Sequence, residues 1–462
     1  MRARHFDKLR ASHVRSLCRG YNSASLNIWR IIMSQTTVTS TITCDLEGRI
    51  QTFNAGAEKI FGYRADEVIG HKRVSIFSPG LVVLEHVPTW LKTASEKGEF
   101  KGRTIFVRKD GSSFAAEIRI TPTFKGGRQI GYCGVTHPLP ETAVAQVVPI
   151  IHMKTKVFSW LVITRLPFLT ASLIPVLIGA AWVSAKGLAS PFPWLTFILT
   201  LFSAAAMQIA ANTFNDYFDW TSGTDKVNND YFLPFSGGSR SMELGLISEK
   251  GMLKVGLVSL GVASALGLTV TYLSRQPSLI VIGLLGAFST YSYTAPPLRL
   301  AARKGLGELL IGLNFGPLMT AGTVIALTGR VSWEAFAIGL PVGLLTTAIL
   351  WINQFPDEAS DRLSGKHNLV VVLGKERARW GYVLLMATAF GLGIASVITG
   401  IFPFGALAML VALPMAWSAS RILFQHYADR ELVTANSKTI NLQLVAGLLT
   451  AVGIMLSPLV WK

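Results

Sequence analysis

The sequence predicts an all-α polytopic membrane bundle of about nine transmembrane helices, preceded by a small α/β domain. Three observations carry this prediction. From about Leu161 onward the chain is a succession of apolar stretches of roughly twenty residues. Each is long enough, at about 1.5 Å rise per residue, to cross a hydrocarbon core of about 30 Å. The first 150 residues hold no such stretch, and there short β-type runs alternate with turn signals and brief helical segments.

A length of 462 residues argues for at least two units. Residues 1–35 are basic (Arg2, Arg4, Lys8, Arg10, Arg15, Arg19) and lack the apolar core of a secretory signal. They read as a disordered tail, with Met33 as an alternative start. Cys18, Cys44 and Cys133 are too few and too scattered for a disulfide framework or a CxxC metal site, which fits a reducing compartment. The formal net charge of +17 raises the question of nucleic acid. In a membrane protein, cationic loops retained on the cytoplasmic side explain it, and no nucleic-acid partner is expected.

In residues 36–137, Ser40 to Cys44 and Ile50 to Phe53 flank the turn Asp45-Leu46-Glu47-Gly48. Arg103 to Val107 and Ser113 to Thr121 flank Lys109-Asp110-Gly111, and both pairs read as hairpins. The stretch from Asp45 through Asn54-Ala-Gly-Ala-Glu-Lys-Ile-Phe-Gly-Tyr63, followed by Glu67-Val-Ile-Gly70, resembles a PAS sensory domain over about a hundred residues. That resemblance implies haem, flavin, a small metabolite or no ligand at all. No cysteine lies between Ala65 and Thr93, which argues against a flavin-adduct photoreceptor. His71 and His86 are candidate haem ligands, but a lone histidine there is more often an ordinary surface or core residue. The expectation is a dimerisation or regulatory module without cofactor, a small ligand being the alternative.

After a proline-containing linker, 138–156, residues 157–462 form the membrane portion. Nine candidate spans centre near Val176, Phe202, Ala263, Leu284, Phe315, Pro341, Ala389, Ala408 and Ala451. The loops after the second, fourth, sixth and eighth spans carry most of the Lys and Arg, whereas the alternate loops carry only Lys186, Arg275 and Arg330. The positive-inside tendency places the first set, and the N-terminal domain, in the cytoplasm, with the C-terminus outside. A bacterial inner membrane is the expected location.

The second span ends Asn212-Thr-Phe-Asn215-Asp216-Tyr-Phe-Asp219, then Gly223-Thr-Asp225-Lys226. At 100° per residue, positions 212, 215, 216 and 219 project from one helix face. Ionisable groups at membrane depth cost roughly 2.5 kcal/mol or more each and tend to mark sites. One aspartate there reads as a helix end emerging into water; a row of them does not. The sixth span ends Asn353-Gln-Phe-Pro356-Asp357, then Asp361-Arg362-Leu-Ser-Gly365-Lys366, again one face if the helix continues past Pro356. Both clusters share Asn-x-x-x-Asp, which suggests an internal duplication and one shared cavity. Hard oxygen ligands in two groups suit Mg²⁺, which is normally completed by phosphate oxygens. Arg240, in Ser236-Gly-Gly-Ser-Arg240, with Lys226, Arg362 and Lys366 are candidates for holding a diphosphate as it leaves. The glycines Gly237 and Gly238 allow close backbone approach to an anion.

The first cluster resembles the NDxxD signature, and the second the DxxxD signature, of the membrane-embedded aromatic prenyltransferases, the UbiA superfamily. Arg165-Leu-Pro167, Gly305-Leu-Gly-Glu308 and Phe315-Gly-Pro317 extend the resemblance over residues 155–460. It implies a nine-helix ring around a lipid-open cavity, transfer of a polyprenyl group from its diphosphate to an aromatic acceptor, and Mg²⁺ as cofactor. Carried over, the metal ligands are Asn215, Asp216, Asp219 and Asp225 with Asn353, Asp357 and Asp361; Asn212 joins the diphosphate site. Of these, Asp216, Asp219, Asp357 and Asp361 are the expected catalytic residues. Two departures stand out. Gly223 falls where many members have an aspartate, Asp225 coming two residues later, and a Tyr-x-x-x-Lys is replaced by Tyr291-Ser-Tyr293 with Arg299, where either tyrosine and Arg299 would supply its function at the diphosphate site; both tyrosines also read as an interfacial aromatic belt. The Gly-Thr-Asp-Lys, Gly-Gly-Ser-Arg and Gly-Leu-Gly-Glu motifs resemble the 1,4-dihydroxy-2-naphthoate branch of menaquinone synthesis more than the 4-hydroxybenzoate or haem O branches. The other class is a PAS-gated sensor or transporter. Acid clusters at cytoplasmic helix ends beside basic loops, not at mid-span, favour the diphosphate site.

Overall fold

The computed structural model describes residues 38–227 and 238–460. The expected tail, Cys18, Met33 and Gly237 therefore lie outside the described residues, as does the side chain of Lys226. The chain divides into two compact units that part between Ile150 and Ile151, with Val83–Glu85 grouped with the second.

The first unit is built on a five-stranded antiparallel sheet in the order β2-β1-β5-β4-β3. Its strands are β1 (Ser40–Asp45), β2 (Ile50–Phe53), β3 (Phe100–Val107), β4 (Ser113–Lys125) and β5 (Arg128–Pro138). Both expected hairpins form, β1 with β2 and β3 with β4. Local chemistry explains the first turn. Asp45 Oδ1 accepts from the backbone N–H of Glu47 and of Arg49, each at 2.9 Å, and Gly48 supplies the left-handed conformation at φ 83°. Short helices cross between β2 and β3. The first of them, Ala55–Phe61, starts where Asn54 Oδ1 accepts from Ala57 N at 2.8 Å. Phe53, Phe61, Phe77, Phe106 and Phe114 fill the core with Ile42 and Ile50, each such burial contributing about 1.5–3 kcal/mol. His71 is exposed, while His86 stacks on Trp90 and its Nε2 lies 3.0 Å from the carbonyl of Ile150. Cys44 and Cys133 are free thiols; burial, helped by Asp45, pushes that of Cys44 up to about 11.

In the second unit, among the described residues, eight helices are long and apolar enough to cross a membrane. They are Leu166–Ala185, Trp194–Thr221, Glu249–Ser274, Leu306–Thr328, Trp333–Leu363, Lys375–Ile398, Phe404–His426 and Leu432–Pro458. The fourth expected span is a shorter apolar helix, Ser278–Ser292. Pro296 and Pro297 follow closely, and proline disfavours helix in the residue before it, which is why the helix stops short. Counting it as the fourth, the others are the first to third and fifth to ninth spans.

Lipid tails are as apolar as leucine, so these helices associate through close packing of small residues. The fifth span carries Gly312 and Gly316, the sixth Gly339 and Gly343. A Cβ on Gly316 would stand 2.4 Å from the carbonyl oxygen of Gly339, and one on Gly343 2.4 Å from that of Gly312. Beside this contact the fifth span makes a π turn, Asn314–Leu318, at Pro317. The sixth span does continue through Pro356, as one helix from Leu340 to Leu363. Proline removes the hydrogen bond that the carbonyl four residues earlier would accept. That carbonyl, of Ile352, instead accepts from Asn436 Nδ2 of the ninth span at 3.3 Å.

Candidate active site

The two acidic helix ends meet at one cavity of about 390 Å³, lined from one side by Asn212, Asn215, Asp219 and Asp225 and from the other by Asn353, Asp357 and Asp361. Asp219, Asp225 and Asp361 are each no more than 9% exposed. Asp216, at 2%, is buried beside the lining residues Gly238 and Arg165. The remaining walls are largely apolar, including Val176, Met207, Ile282, Leu310, Phe315 and Ile349.

The late position of Asp225 has a structural explanation. The second span ends at Thr221, Gly223 turns the chain at φ 82°, and a separate short helix, Thr224–Val227, follows. The turn brings Asp225 back toward Asp216. Both face Gly238, where an added Cβ would lie 3.0 Å from Asp216 Oδ1 and 3.4 Å from Asp225 Oδ2. Gly238, at φ 73°, is thus required twice over, by its backbone and by the carboxylates against it. Burial pushes the Asp225 carboxyl well above the usual carboxylate range, against the pull of the Arg240 guanidinium.

Cations complete the cluster. Lys366 Nζ donates to Asp219 at 2.8 Å and stands 3.9 Å from Asp361 Oδ1, so it touches one acid of each cluster. Burial works against its charge, but Asp219 and Asp361 outweigh this and hold it above the usual lysine range. Arg165, not foreseen as a site residue, lies with Nη1 3.5 Å from Asp216 Oδ1 and with its guanidinium over the Phe168 ring. It precedes the first span in left-handed backbone, at φ 53°. Behind it, Ser172, Gln208 and Asn212 form a buried polar chain ending where Asn212 Nδ2 donates to the carbonyl of Thr164 at 3.0 Å.

Three further residues went unrecognised. Asn368 donates to Asp361 Oδ2 at 2.8 Å while its Oδ1 caps the helix Leu369–Leu373 by accepting from Val371 N. Glu308, 4% exposed, accepts at Oε1 from Gln354 Nε2 and from Leu369 N, and so ties the fifth span to the sixth and to that helix. Asn436 donates to Asn353 Oδ1 at 2.7 Å, orienting that amide.

Several expected residues do not reach the cavity lining. Arg240 is buried, donating to the backbone carbonyl of Asp225 at 2.5 Å and to Glu243 at 3.0 Å. Arg362 pairs with Glu358 on the helix exterior. Tyr291 is exposed and packs edge-on against Phe214 and Phe218, whereas Tyr293 lines the cavity. Two positions apart at a helix end point to roughly opposite sides, so only one of the two tyrosines faces inward. Arg299, in left-handed backbone after the two prolines, is also away from the lining.

Among the described residues no three His, Cys, Asp or Glu side chains form a ready metal cage. Mg²⁺ does not need one, since it keeps waters and takes phosphate oxygens. The donor set fits that mode of binding: carboxylate and amide oxygens converge, and among the described residues the buried Asp216 Oδ1 has no hydrogen-bond donor.

Comparison with known proteins follows this division of the chain. Residues 38–137 match the PAS domain, and the N-terminal unit is one. A 1,4-dihydroxy-2-naphthoate octaprenyltransferase of Bacillus subtilis is 28% identical over 303 residues, 64% of this chain and 91% of the relative. A 2-carboxy-1,4-naphthoquinone phytyltransferase of Synechocystis is 29% identical over 298 residues, 64% of this chain and 92% of the relative. A solved UbiA homolog from Aeropyrum pernix K1 is similar at 17% identity, over 61% of this chain and 97% of that one, with a TM-score of 0.48. Residues 172–457, more than half of the chain, match the UbiA prenyltransferase family, and the protein belongs to that family of integral-membrane enzymes.

Proposed function

We propose that this prenyltransferase moves a polyprenyl group from its allylic diphosphate to 1,4-dihydroxy-2-naphthoate. The observation that carries the reaction is the meeting of two acidic helix ends at one cavity whose other walls are largely apolar. The acceptor assignment draws on the relatives, several of which are named for 1,4-dihydroxy-2-naphthoate.

Asn215, Asp216, Asp219 and Asp225, with Asn353, Asp357 and Asp361, would hold Mg²⁺, which when bound neutralises the diphosphate as its C–O bond breaks. Arg165 and Lys366 are placed to hold the diphosphate, and Lys366 gives up its contact with Asp219 to do so. The apolar walls take the polyprenyl chain and keep water from the allylic cation. The π electrons of the ring carbon bearing the acceptor carboxylate then form the new C–C bond to the allylic cation; the bond from that carbon to the carboxylate breaks, CO₂ leaves, and the electron pair of the broken bond returns to the ring and restores aromaticity. The site is read as cytoplasmic, because the basic loops flank it.

Membranes containing the protein, given a radiolabelled polyprenyl diphosphate, Mg²⁺ and a panel of aromatic acceptors, are expected to yield the decarboxylated prenyl naphthoquinol. Transfer only to 4-hydroxybenzoate or to a lipid acceptor would move the protein to another branch. We also propose that the PAS domain adjusts this activity to a cytoplasmic cue. Removing residues 1–150 is expected to change kcat or its response to redox state or added metabolites by a few fold. Identical kinetics under every condition would make the domain a passive one.

A further inference from the structure

We propose that Lys366 occupies the divalent ion's place in the unloaded protein, so that the ion enters by displacing it. This rests on the reading of the site given above. The ammonium stands 2.8 Å from each carboxylate oxygen of Asp219 and 3.9 Å from Asp361 Oδ1. It therefore bridges an acid of the second span to one of the sixth, two of the residues that would hold a divalent cation. Without a cation there, the facing carboxylates of Asp219 and Asp361 would repel one another.

The backbone around Lys366 is held by hydrogen bonds of its own, separate from the contacts of the side chain. Lys366 N donates to the carbonyl of Asp361 at 2.8 Å, His367 N to that of Ala302 at 3.1 Å, and Asn368 caps the next helix. A lysine stem of four carbons with three rotatable donors can re-aim from such an anchor without moving the loop. On arrival of a diphosphate, the ammonium exchanges one anion for another. Before that arrival an ion must compete with it, and apparent affinity falls by the fraction of time the place is free. Ion and diphosphate are then taken up together, and the protein holds little metal alone.

The test is the affinity for Mn²⁺ of the full chain in lipid nanodiscs, with no diphosphate present, read by electron paramagnetic resonance. Lys366→Met is expected to bind Mn²⁺ at least about tenfold more tightly than the unsubstituted chain. Arg362→Gln removes the same charge four residues away, outside the cavity lining, and is expected to gain no more than about twofold, because solvent screens an exposed charge. Equal gains in the two variants, or no gain for Lys366→Met, overturn the proposal. Should Lys366→Met fail to fold, the unsubstituted chain gives an independent reading. Mn²⁺ should speed acylation of Lys366 by an amine-reactive ester, followed by mass spectrometry, and unchanged or slower acylation counts against displacement. A chain that transfers prenyl groups but gives these negative results loses only this inference; one that transfers to no acceptor loses the functional reading itself.

Discussion

Asp357→Ala is expected to lower prenyl transfer by about 10³-fold or more while leaving the protein in the membrane at its normal level. Asp357 is a lining residue and only partly buried, so its removal opens little space. Stability should therefore change by less than about 1 kcal/mol. Catalysis should change far more, because a carboxylate that helps hold the ion acts on charge that develops only as the diphosphate leaves. Asp219→Ala is expected to match the loss for a second reason, since it also frees Lys366 from its partner at 2.8 Å. The check is transfer from radiolabelled polyprenyl diphosphate per unit of membrane-inserted protein. Full activity in both variants would sink the assignment of the two helix ends to the diphosphate.

Those carboxylates were legible because helix periodicity alone puts 212, 215, 216 and 219, or 353, 357 and 361, on one face. The two hairpins were legible for a similar reason: Asp45 and Gly48 carry the chemistry of their turn within four residues. What escaped depends on neighbours distant in sequence. Glu308 was visible as part of Gly305-Leu-Gly-Glu308, but its partners Gln354 and Leu369 lie on other elements. Arg165 meets Asp216 only once the first and second spans pack. Spacing counted from Asp219 weakened Asp225, whereas the chain turns at Gly223 and brings it to the cavity lining. Arg240 was placed on the diphosphate because a buried arginine and an anion-binding arginine look alike in sequence; here it holds the backbone of Asp225.

Asn436→Leu is the second substitution with a large expected effect, about 10²-fold on kcat, although Asn436 does not line the cavity. The effect originates at Pro356. A proline inside the sixth span leaves the carbonyl of Ile352 without its helical donor, and a free carbonyl in a membrane interior costs several kcal/mol. Asn436, fully buried on the ninth span, spends its amide there at 3.3 Å and on Asn353 Oδ1 at 2.7 Å. One side chain thus repairs the helix and aims the first residue of the second cluster. Leucine fills similar volume but donates nothing, so Ile352 and Asn353 lose their donor together, at a cost of about 1–3 kcal/mol in stability. Asp357 lies one turn beyond Asn353 on the same face, so a shift or kink at Pro356 moves it too, and a displacement of about 1 Å is enough for a loss of this size. Asn436→Gln should recover part of the activity by keeping a donor on a longer stem. The decisive measurement is kcat against the KM for the polyprenyl diphosphate at saturating Mg²⁺ in detergent-purified protein. A fall in kcat with insertion unchanged and with the melting temperature lowered only by the few degrees this cost implies supports positioning. A loss of activity that tracks loss of folded protein in every variant would make Asn436 a structural residue alone.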